Sequence, residues 1–277
     1  MDRDYLCSLF DLAGQVIAIT GGGGVLCGAV AEGLGRLGAR VAILDLSAEA
    51  AQSVAEEIQQ QGGEALAIPT DVLDRASLER GCKEVLARFG TVDALINGAG
   101  GNRPAATTNP DVSFFDLPRE ALEGVLDLNF LGTVLATQVY GRVMAEKGQG
   151  NIINIASIAA MRPMTRVLAY SAAKGAVANL TQWLAVHMAE EYSPRIRVNA
   201  VAPGFFLTHQ NRYLLLDEET GEPTERGRAI VAHTPMRRYG DPQELLGIVL
   251  WLLSPAASFV HGATIPIDGG FCAFAGV

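Results

Sequence analysis

The chain has 277 residues, of which 49% are hydrophobic and 18% charged. As one domain of this length it would bury about three quarters of the surface of its unfolded chain, so a sizeable core is expected. Lysine and arginine number 21 and aspartate and glutamate 30, which gives a net charge of −9 without any block of like charge. This balance argues against nucleic acid or an anionic membrane as the main partner.

The four cysteines are widely scattered and form neither a CxxC motif nor a cluster with histidine. They predict no disulfide framework and no metal site, and reduced thiols in the cytoplasm are the default expectation. The acidic start of the chain precedes no long apolar run, so no signal peptide is predicted. No uncharged apolar stretch approaches the roughly 20 residues that span a bilayer, so no membrane partner is expected.

The first predicted elements form a βαβ unit. The β-branched run 16–20 predicts a strand, four consecutive glycines follow it, 26–37 predicts a helix and 41–45 a second buried strand. Glycines at such a turn let the backbone approach a pyrophosphate, which then sits at the N-terminus of the helix. This combination predicts dinucleotide binding.

Asp45 ends the second predicted strand, where a carboxylate can accept hydrogen bonds from a ribose diol. The same carboxylate would repel a 2′-phosphate, so the sequence favours NAD over NADP as the cofactor. The alternative interpretation of Asp45 is a helix N-cap.

Strands and helices continue to alternate along the rest of the chain. The stretch 102–118 contains three prolines and predicts a loop. The stretch 205–238 breaks the alternation after a late strand, and because such insertions commonly cover the mouth of a site, we predict a substrate lid. Further strands are predicted at 65–68, 92–97, 152–155, 196–201 and 264–267, and further helices at 48–61, 74–89, 118–146, 168–189 and 241–253.

No composition break, linker or internal repeat divides the chain, so residues 1–277 are predicted to form one domain. The alternation is typical of a Rossmann-type, doubly wound α/β fold with a parallel sheet of about seven strands. Small residues, Gly98 to Gly101, directly follow the strand 92–97. They leave room for a cofactor at the sheet crevice, although a tight turn that needs positive φ explains these glycines equally well.

Tyr170 and Lys174 lie four positions apart, on one face of a predicted helix. A phenol with its ordinary pKa of about 10 exchanges protons poorly at neutral pH, and a neighbouring ammonium would lower that pKa. Such a pair can protonate a carbonyl oxygen that becomes a hydroxyl, and act as a base in the reverse direction. Taken alone, the pair is explained as well by a solvated helix face.

Taken together and in order, these residues resemble the pattern of the short-chain dehydrogenases/reductases over nearly the whole chain. The motifs that carry the resemblance are Thr20-Gly21, Asp71, Asn97-Gly98-Ala99-Gly100, the set Asn129, Ser157, Tyr170 and Lys174, and Pro203-Gly204 with Thr208.

The resemblance implies a role for each member of the four-residue set. Tyr170 would be the general acid/base, Ser157 would hold the substrate oxygen, and Lys174 would lower the pKa of the tyrosine and bind the ribose. Asn129 would hold a water that links Lys174 to solvent.

The family also implies a homotetramer built on the helices of Asn129 and Tyr170. Contacts with the cofactor would come from Gly21, Gly24, Val25, Leu26, Asp45, Leu46, Asp71, Val72, Asn97, Ala99, Gly100, Tyr170, Lys174, Pro203, Gly204, Phe206 and Thr208.

The glycine turn departs from the family pattern. Val25 and Cys27 occupy the two positions where the family usually carries its last two glycines. Gly23, Gly24 and Gly28 are alternative sources of flexibility, which leaves the course of the turn over the pyrophosphate open.

A narrower resemblance is to the short-chain-type D-mannonate oxidoreductases, or D-fructuronate reductases, through the stretches 97–102, 126–133, 203–206, 210–212 and 233–236. It implies reduction of a ketone on a small keto/hydroxy sugar acid with NADH. A bidentate arginine can hold the substrate carboxylate, and side-chain amides or an imidazole can bind its hydroxyls. Candidates for the carboxylate are Arg103, Arg162 and Arg212, and for the hydroxyls Asn102, Gln210, Asn211 and His233.

Each of these substrate candidates is explained equally well as a surface charge, a loop cap or, for His233, a structural histidine. Alternative functions are another reductase of the same family, acting on a keto-gluconate, a 3-oxoacyl thioester or a cyclic ketone, or a non-catalytic NAD sensor.

The apolar C-terminal segment 271–277 would be costly in water and is expected to pack into a subunit interface.

Overall fold

Seven parallel strands form one sheet in the order β3-β2-β1-β4-β5-β6-β7. The structure is a computed structural model that describes residues 2–208, 212–217 and 220–276. The strands are β1 (Val16–Thr20), β2 (Arg40–Asp45), β3 (Glu64–Pro69), β4 (Ala94–Asn97), β5 (Gly150–Ile155), β6 (Ile196–Pro203) and β7 (Thr264–Ile267). The helices are α1 (Arg3–Leu9), α2 (Val25–Arg36), α3 (Ala48–Gln60), α4 (Arg75–Phe89), α5 (Arg119–Leu126), α6 (Gly132–Lys147), α7 (Leu168–Glu191), α8 (Arg212–Leu215), α9 (Glu225–His233) and α10 (Glu244–Leu253).

The strand order reverses at the centre of the sheet. From β1 the chain proceeds outward through β2 and β3, and β4 then pairs with the other side of β1. In open α/β sheets, ligands bind outside the carboxyl ends of the strands at such a switch point. We therefore expect a cofactor site in the crevice between the ends of β1 and β4.

Helices cover both faces of the sheet, which explains why its strands are continuous apolar runs. All five residues of β1 are buried. On one face Leu34 of α2 and Val249 of α10 belong to a hydrophobic core, and on the other Tyr140 of α6 and Leu184 of α7 belong to a second core. The sheet is thus held rigidly between two layers of helices.

The predicted fold class is confirmed, and the predicted strands and helices are found with boundaries that shift by a few residues. Helix α1 was not predicted, because seven residues are too short to show an apolar period; Asp2 caps it by accepting from the Tyr5 N–H at 3.0 Å. The predicted helix 118–146 contains a π-helical segment, Asp127–Leu131, which joins α5 to α6.

The predicted lid contains two short helices, α8 and α9, in its described part. Leu216 and Pro223 form an isolated bridge between them, and the Thr224 side chain caps α9 by accepting from the Gly227 N–H at 3.0 Å. The movement of a lid stays a prediction. Among the described helices, none combines the length and the apolar character needed to cross a membrane.

Candidate active site

The glycine turn after β1 passes directly against the loop after β4. Gly21 has a φ of +64°, and a Cβ atom at this position would lie 2.8 Å from the backbone of Ala99. The Thr20 hydroxyl accepts from the Gly98 and Ala99 N–H groups at 3.2 and 3.3 Å. Only a residue without a side chain can occupy position 21, because both its conformation and its space exclude Cβ.

Helix α2 begins at the end of this turn. Gly24 is its N-cap residue and supplies no side-chain hydrogen bond, so Val25 and Leu26 form a first turn whose N–H groups face the crevice without a side-chain cap. Such a helix end carries partial positive charge and suits an anionic pyrophosphate. A dinucleotide therefore fits the residues present at the switch point.

Cys27 explains how the chain departs from the family pattern of glycines. Its side chain is buried beneath the β4 loop, where a Cβ atom on Gly98 would overlap with the Cys27 sulfur. The glycine missing from position 27 is thus compensated by one at position 98. Burial raises the pKa of the Cys27 thiol to about 12, so the group is neutral at physiological pH.

The carboxylate of Asp45 lies between the glycine turn and the start of α3. One of its oxygens accepts from the Gly23 N–H at 3.0 Å and the other from the Ser47 N–H at 2.9 Å. Ser47, which accepts from the Ala50 N–H, is the N-cap of α3, so the alternative interpretation of Asp45 as a helix N-cap is wrong. Leu46, beside it, is 76% exposed at the same mouth.

Three predicted cofactor residues turn their side chains into the protein interior. Asn97 donates from Nδ2 to Thr137 and Asn154 at 3.0 and 2.9 Å, Val72 is buried in a core, and Phe206 is buried against Gly240. In this structure only backbone atoms of Asn97, Val72 and Phe206 are available to a cofactor. The cofactor contacts predicted for these residues stay a prediction, in which backbone atoms would make the contacts because burial among strands decides the orientation of the side chains.

The remaining predicted cofactor residues lie at strand ends around the crevice. The Gly204 N–H donates to the Ile267 carbonyl at 2.9 Å, which fixes the end of β6 beside β7 and orients the preceding Pro203. Asp71 is exposed at the end of β3, and its N–H donates to the Ser77 hydroxyl at 3.1 Å. The Thr208 carbonyl accepts the N–H of Arg212 at 3.0 Å, at the start of α8.

Asn129 ties the helix to the β4 loop from inside the π-helical segment. Its Nδ2 donates to the carbonyls of Gly101 and Val125 at 2.7 and 2.8 Å, and its Oδ1 accepts from the Gly101 N–H at 3.0 Å. The Thr133 hydroxyl donates to the Asn129 carbonyl at 2.9 Å. The described contacts make Asn129 a buried anchor of the loop, and a role in holding a water stays a prediction.

Ser157, Tyr170 and Lys174 converge where β5 meets α7. Ser157 lies close enough to Tyr170 for its hydroxyl to lower the pKa of the phenol, and Lys174 Nζ lies 5.7 Å from the centroid of the Tyr170 ring. Nζ also donates to the Ile155 carbonyl at 2.7 Å. A Cβ atom on Gly100 would lie 3.2 Å from Nζ, so the loop after β4 reaches the same place. The arrangement can deliver a proton to an oxygen beside Ser157.

The expectation that Lys174 lowers the pKa of Tyr170 is not met in this structure. Burial raises the pKa of the phenol, and the hydrogen bond from Ser157 lowers it by less. Burial also lowers the pKa of Lys174 itself, to about 8. The reason is geometric, since Nζ faces the tyrosine ring and is bonded to the carbonyl of Ile155, while desolvation disfavours both charged forms.

The described residues among the predicted substrate candidates lie on different elements, and their contact with a substrate stays a prediction. Arg162 donates to the Cys272 carbonyl at 3.0 Å, Arg103 lies so close to α5 that a Cβ on Gly124 would be 2.7 Å from its guanidinium, and Arg212 is exposed on α8. Asn102 donates to the Thr107 hydroxyl at 2.7 Å, while its Oδ1 is buried and unpartnered. Gln210 and Asn211 lie outside the described residues.

The C-terminal segment folds back on the predicted lid. His233 of α9 packs against Phe271 and Phe274 with ring centroids 4.6 and 5.1 Å apart, and Phe271 also meets Phe205 at 5.1 Å. This packing agrees with the alternative interpretation of His233, as a structural histidine and not a substrate-binding one. The segment thus has apolar partners within its own chain, and its place in a subunit interface stays a prediction.

Sequence reasoning missed residues that act through their backbone or their packing. The carbonyl of Ile155 holds Lys174. The only feature of the sequence that could have indicated this role is the position of Ile155 at the end of β5, two residues before Ser157. The overlap between Cys27 and Gly98 has no signal in a single sequence. Within the described residues, no group of three histidine, cysteine or acidic side chains is placed to hold a metal ion.

The parallel sheet, the glycine turn at its switch point and the group Ser157, Tyr170 and Lys174 define an oxidoreductase that uses a nicotinamide dinucleotide. Comparisons with known proteins agree with this class. A model of the family, described as enoyl-(acyl carrier protein) reductase, matches residues 26–272. The chain belongs to the short-chain dehydrogenase/reductase family.

Relatives and solved structures match nearly the whole chain. An uncharacterized oxidoreductase, UxuB of Bacillus subtilis, is 49% identical over 276 residues, covering 96% of this chain and 98% of the relative. The crystal structure of a proposed D-mannonate oxidoreductase from Haemophilus influenzae with bound NAD is 45% identical, with a TM-score of 0.91 over 98% of this chain and 100% of that one. A gluconate 5-dehydrogenase from Burkholderia cenocepacia, in complex with NADP and tartrate, is 31% identical, with a TM-score of 0.86 over 97% and 99% of the two chains.

Proposed function

We propose that this protein is an NAD-dependent oxidoreductase that interconverts a ketone and a secondary alcohol on a sugar acid, with D-fructuronate and D-mannonate as the pair. The likeness to the proposed D-mannonate oxidoreductase, at 45% identity and a TM-score of 0.91, is the observation that carries the proposal. The geometry at Tyr170 supports the chemistry, because a neutral phenol stands beside a second hydroxyl that can position an oxygen.

The proposed mechanism of reduction assigns the proton transfer to this chain. The glycine turn after β1 and Asp45 would hold the nicotinamide cofactor, which would supply a hydride to the carbonyl carbon. Tyr170 gives its proton to the carbonyl oxygen, which Ser157 holds by a hydrogen bond, and the product is the alcohol. A proton from solvent, passed on through Lys174, then returns to the phenolate oxygen, so that both side chains regain their starting protonation states; the Ile155 carbonyl holds Lys174 in place. Oxidation follows the same steps in reverse.

NAD is favoured over NADP by the position of Asp45. Its carboxylate stands at the end of β2, where a ribose diol can donate to it and a 2′-phosphate would meet like charge. The B. cenocepacia relative with bound NADP shows that the fold accommodates either cofactor, so this preference is tested by measuring KM for NADH and NADPH with one substrate.

A second candidate is reduction of a keto-gluconate. The gluconate 5-dehydrogenase from B. cenocepacia favours it, since that structure also holds a hydroxy acid, tartrate. Both candidates share a carboxylate, neighbouring hydroxyls and the position of the ketone, and they differ in the configuration of the hydroxyl-bearing carbon next to the carboxylate.

A screen of substrates by NADH absorbance tests the proposal. We expect turnover with D-fructuronate and, in the opposite direction, with D-mannonate and NAD. Higher kcat/KM with 5-keto-D-gluconate would favour the second candidate, and turnover only with 3-oxoacyl thioesters or cyclic ketones would contradict a sugar-acid function. NADH binding without any turnover would favour a sensor. A homotetramer and a cytoplasmic location are predictions that follow from the family likeness.

A further inference from the structure

A cavity of about 460 Å³ lies at the edge of the sheet opposite the catalytic crevice. Its walls include the amino ends of four strands. Gln15 and Asp93 directly precede β1 and β4, while Asn151 and Arg197 are the second residues of β5 and β6. The strands are parallel and Ser157 follows the carboxyl end of β5, so the cavity is about 20 Å from the catalytic group, the length of a six-residue strand.

Arg197 and Asn151 are held side by side in the wall of this cavity. They are partners in the register of β5 with β6. Arg197 Nη2 and Asn151 Nδ2 both donate to the Leu252 carbonyl, at 2.7 and 2.8 Å, near the C-terminal end of α10. These bonds satisfy a carbonyl that the last turn of a helix leaves without an intrahelical partner. They also fix the guanidinium and the amide in one place, before any ligand arrives.

Each of these two side chains keeps a polar atom without a partner. Arg197 Nη1 and Asn151 Oδ1 are buried and make no hydrogen bond to any residue that the structure describes. Asn151 as a whole is only 6% exposed. Unpaired buried polar atoms are rare in native proteins because they are costly, and most of all for a charged group. A donor and an acceptor left unpaired on adjacent side chains are complementary to a ligand that carries both an anionic oxygen and a hydroxyl group.

The cavity also carries an excess of positive charge. Lys147, Arg195 and Arg197 line it together with a single acidic residue, Asp93. Lys147 Nζ lies 2.5 Å from Asp93 Oδ1, so these two charges neutralise each other. Neither Arg195 nor Arg197 forms an ion pair within the described part of the chain. Two uncompensated guanidinium groups therefore share one cavity, on a chain whose net charge is −9.

The size and the chemistry of the cavity match a small phosphorylated ligand. Its volume falls within the range of about 300–1,000 Å³ that is typical of small-molecule sites. A phosphate monoester carries about −1.5 to −2 charges at neutral pH, which balances two arginines better than the single charge of a carboxylate. The guanidinium fork also suits the oxygens of a phosphate. Gln15, Gln149 and Ser258 supply uncharged polar groups in the same cavity, as the hydroxyls of a sugar require.

We propose that this cavity is a second ligand site, which binds the phosphate monoester of a sugar or a similar polyol. Arg195 and Arg197 hold the phosphate, and Asn151 Oδ1 accepts a hydrogen bond from a hydroxyl group of the ligand. Because the site and the catalytic crevice lie at opposite edges of the sheet, the ligand does not compete with NADH or with the substrate. The site does not depend on which ketone the enzyme reduces.

Isothermal titration calorimetry of the full chain tests the proposal. The protein is first saturated with NADH, so that the crevice is occupied. The probes are D-glucose 6-phosphate, inorganic phosphate, D-gluconate and D-glucose, which separate the contributions of the phosphate, a carboxylate and the hydroxyls. The variants are Arg195→Gln and Arg197→Gln. The matched control is Arg142→Gln, which removes one positive charge from an exposed position of α6 outside the cavity.

We expect D-glucose 6-phosphate to bind the wild type most tightly, inorganic phosphate and D-gluconate at least about tenfold more weakly, and D-glucose not at all. The Kd for D-glucose 6-phosphate should rise at least about tenfold in Arg195→Gln and in Arg197→Gln, and stay within about twofold in Arg142→Gln. Arg197→Lys should recover part of the affinity, since it restores the charge but not the planar fork. If Arg197→Gln does not fold because α10 loses its anchor, the exposed Arg195 still provides the test.

Several results would overturn the proposal. One is the absence of measurable heat with D-glucose 6-phosphate up to about 10 mM. Another is a Kd that is the same in the wild type and in both arginine variants, which would place the ligand elsewhere on the chain. An equal loss of affinity in Arg142→Gln would reduce the effect to the net charge of the protein. Tighter binding of D-gluconate than of D-glucose 6-phosphate would contradict the choice of a phosphate ester. None of these measurements uses turnover, so their outcome is independent of the proposed function.

Discussion

At Tyr170, burial and the hydrogen bond from Ser157 act in opposite directions on the pKa of the phenol, and burial has the larger effect. The phenol therefore keeps its proton at neutral pH in the folded chain. A protonated phenol is the form required for reduction, where an oxygen gains negative charge and takes up a proton. The protonation state of Tyr170 therefore suits the reduction of a carbonyl group.

Replacing Tyr170 by phenylalanine should separate binding from chemistry. The ring keeps its packing against the cluster of Ala106, Val125 and Ala169, while the proton donor is lost. We expect the Kd for NADH, measured by fluorescence titration, to stay within about threefold and kcat to fall at least about 100-fold. Turnover close to that of the wild type would remove Tyr170 from its proposed role.

Lys174 gives a prediction about stability and pH. Its pKa falls from 10.5 to about 8 on folding because the ammonium is buried, so between these values the unfolded chain binds more protons than the folded one. The contribution of Lys174 to the free energy of unfolding is therefore lowest below about pH 8 and rises as the pH increases above that value. Relative to Lys174→Met, the wild type should gain on the order of 2 kcal/mol of unfolding free energy between about pH 7.5 and 9.5.

Urea unfolding of both proteins across this pH range provides the measurement. The other titrating groups are present in both proteins, and Cys27, whose pKa is coupled to Lys174, stays neutral in the folded chain over this range, so their contributions largely cancel in the difference between wild type and Lys174→Met. A difference that stays constant with pH would mean that the ammonium is solvated in the folded chain.

Among the elements, the glycine turn and the β4 loop are coupled by the contact between Cys27 and Gly98. Gly98→Ala should cost about 1–3 kcal/mol of unfolding free energy, because the added methyl group overlaps with the buried sulfur. Cys27→Ala removes the sulfur but leaves the Thr20 carbonyl oxygen 2.8 Å from the added Cβ, so Gly98→Ala should cost less, but still a measurable amount, in that background. A double-mutant cycle measures the coupling, and additive effects would contradict it.

Gly247→Ala is the matched control for that cycle. A Cβ atom at Gly247, in helix α10, would meet nothing within 4 Å. This substitution should leave stability unchanged or raise it by up to about 1 kcal/mol, since alanine is the better helix former.

The elements also show where prediction from sequence succeeds. Buried parallel strands are short apolar runs that end in glycine or a polar residue, so β1 and β2 were predicted within one residue. The π-helical segment at Asn129 was not predictable, because its apolar neighbours continue the helical period and the distortion comes from hydrogen bonds to Gly101 and Val125. The order of the catalytic set was predictable, but the pKa of Tyr170 depends on burial, which no spacing reveals.

For the whole molecule, the outer face of α7 bears on the predicted homotetramer. Trp183 and Val186 are 57% and 58% exposed on this helix, an apolar surface that a second subunit would cover. Static light scattering should give a mass near four times the 29.2 kDa chain, and Trp183→Glu should lower it. Leu37→Glu, at the exposed C-cap of α2, is the control and should leave the mass unchanged. A wild-type monomer would contradict the prediction.

Asp45 has a consequence for how the whole protein chooses its cofactor. Its two oxygens are already restrained by the amides of Gly23 and Ser47, so the side chain has few other orientations available. An acceptor that is immobile before the ligand arrives loses little entropy when a diol docks on it. The same immobility prevents the carboxylate from swinging away from a phosphorylated ribose. Discrimination between the two nicotinamide cofactors would then be a matter of rigidity as much as of charge.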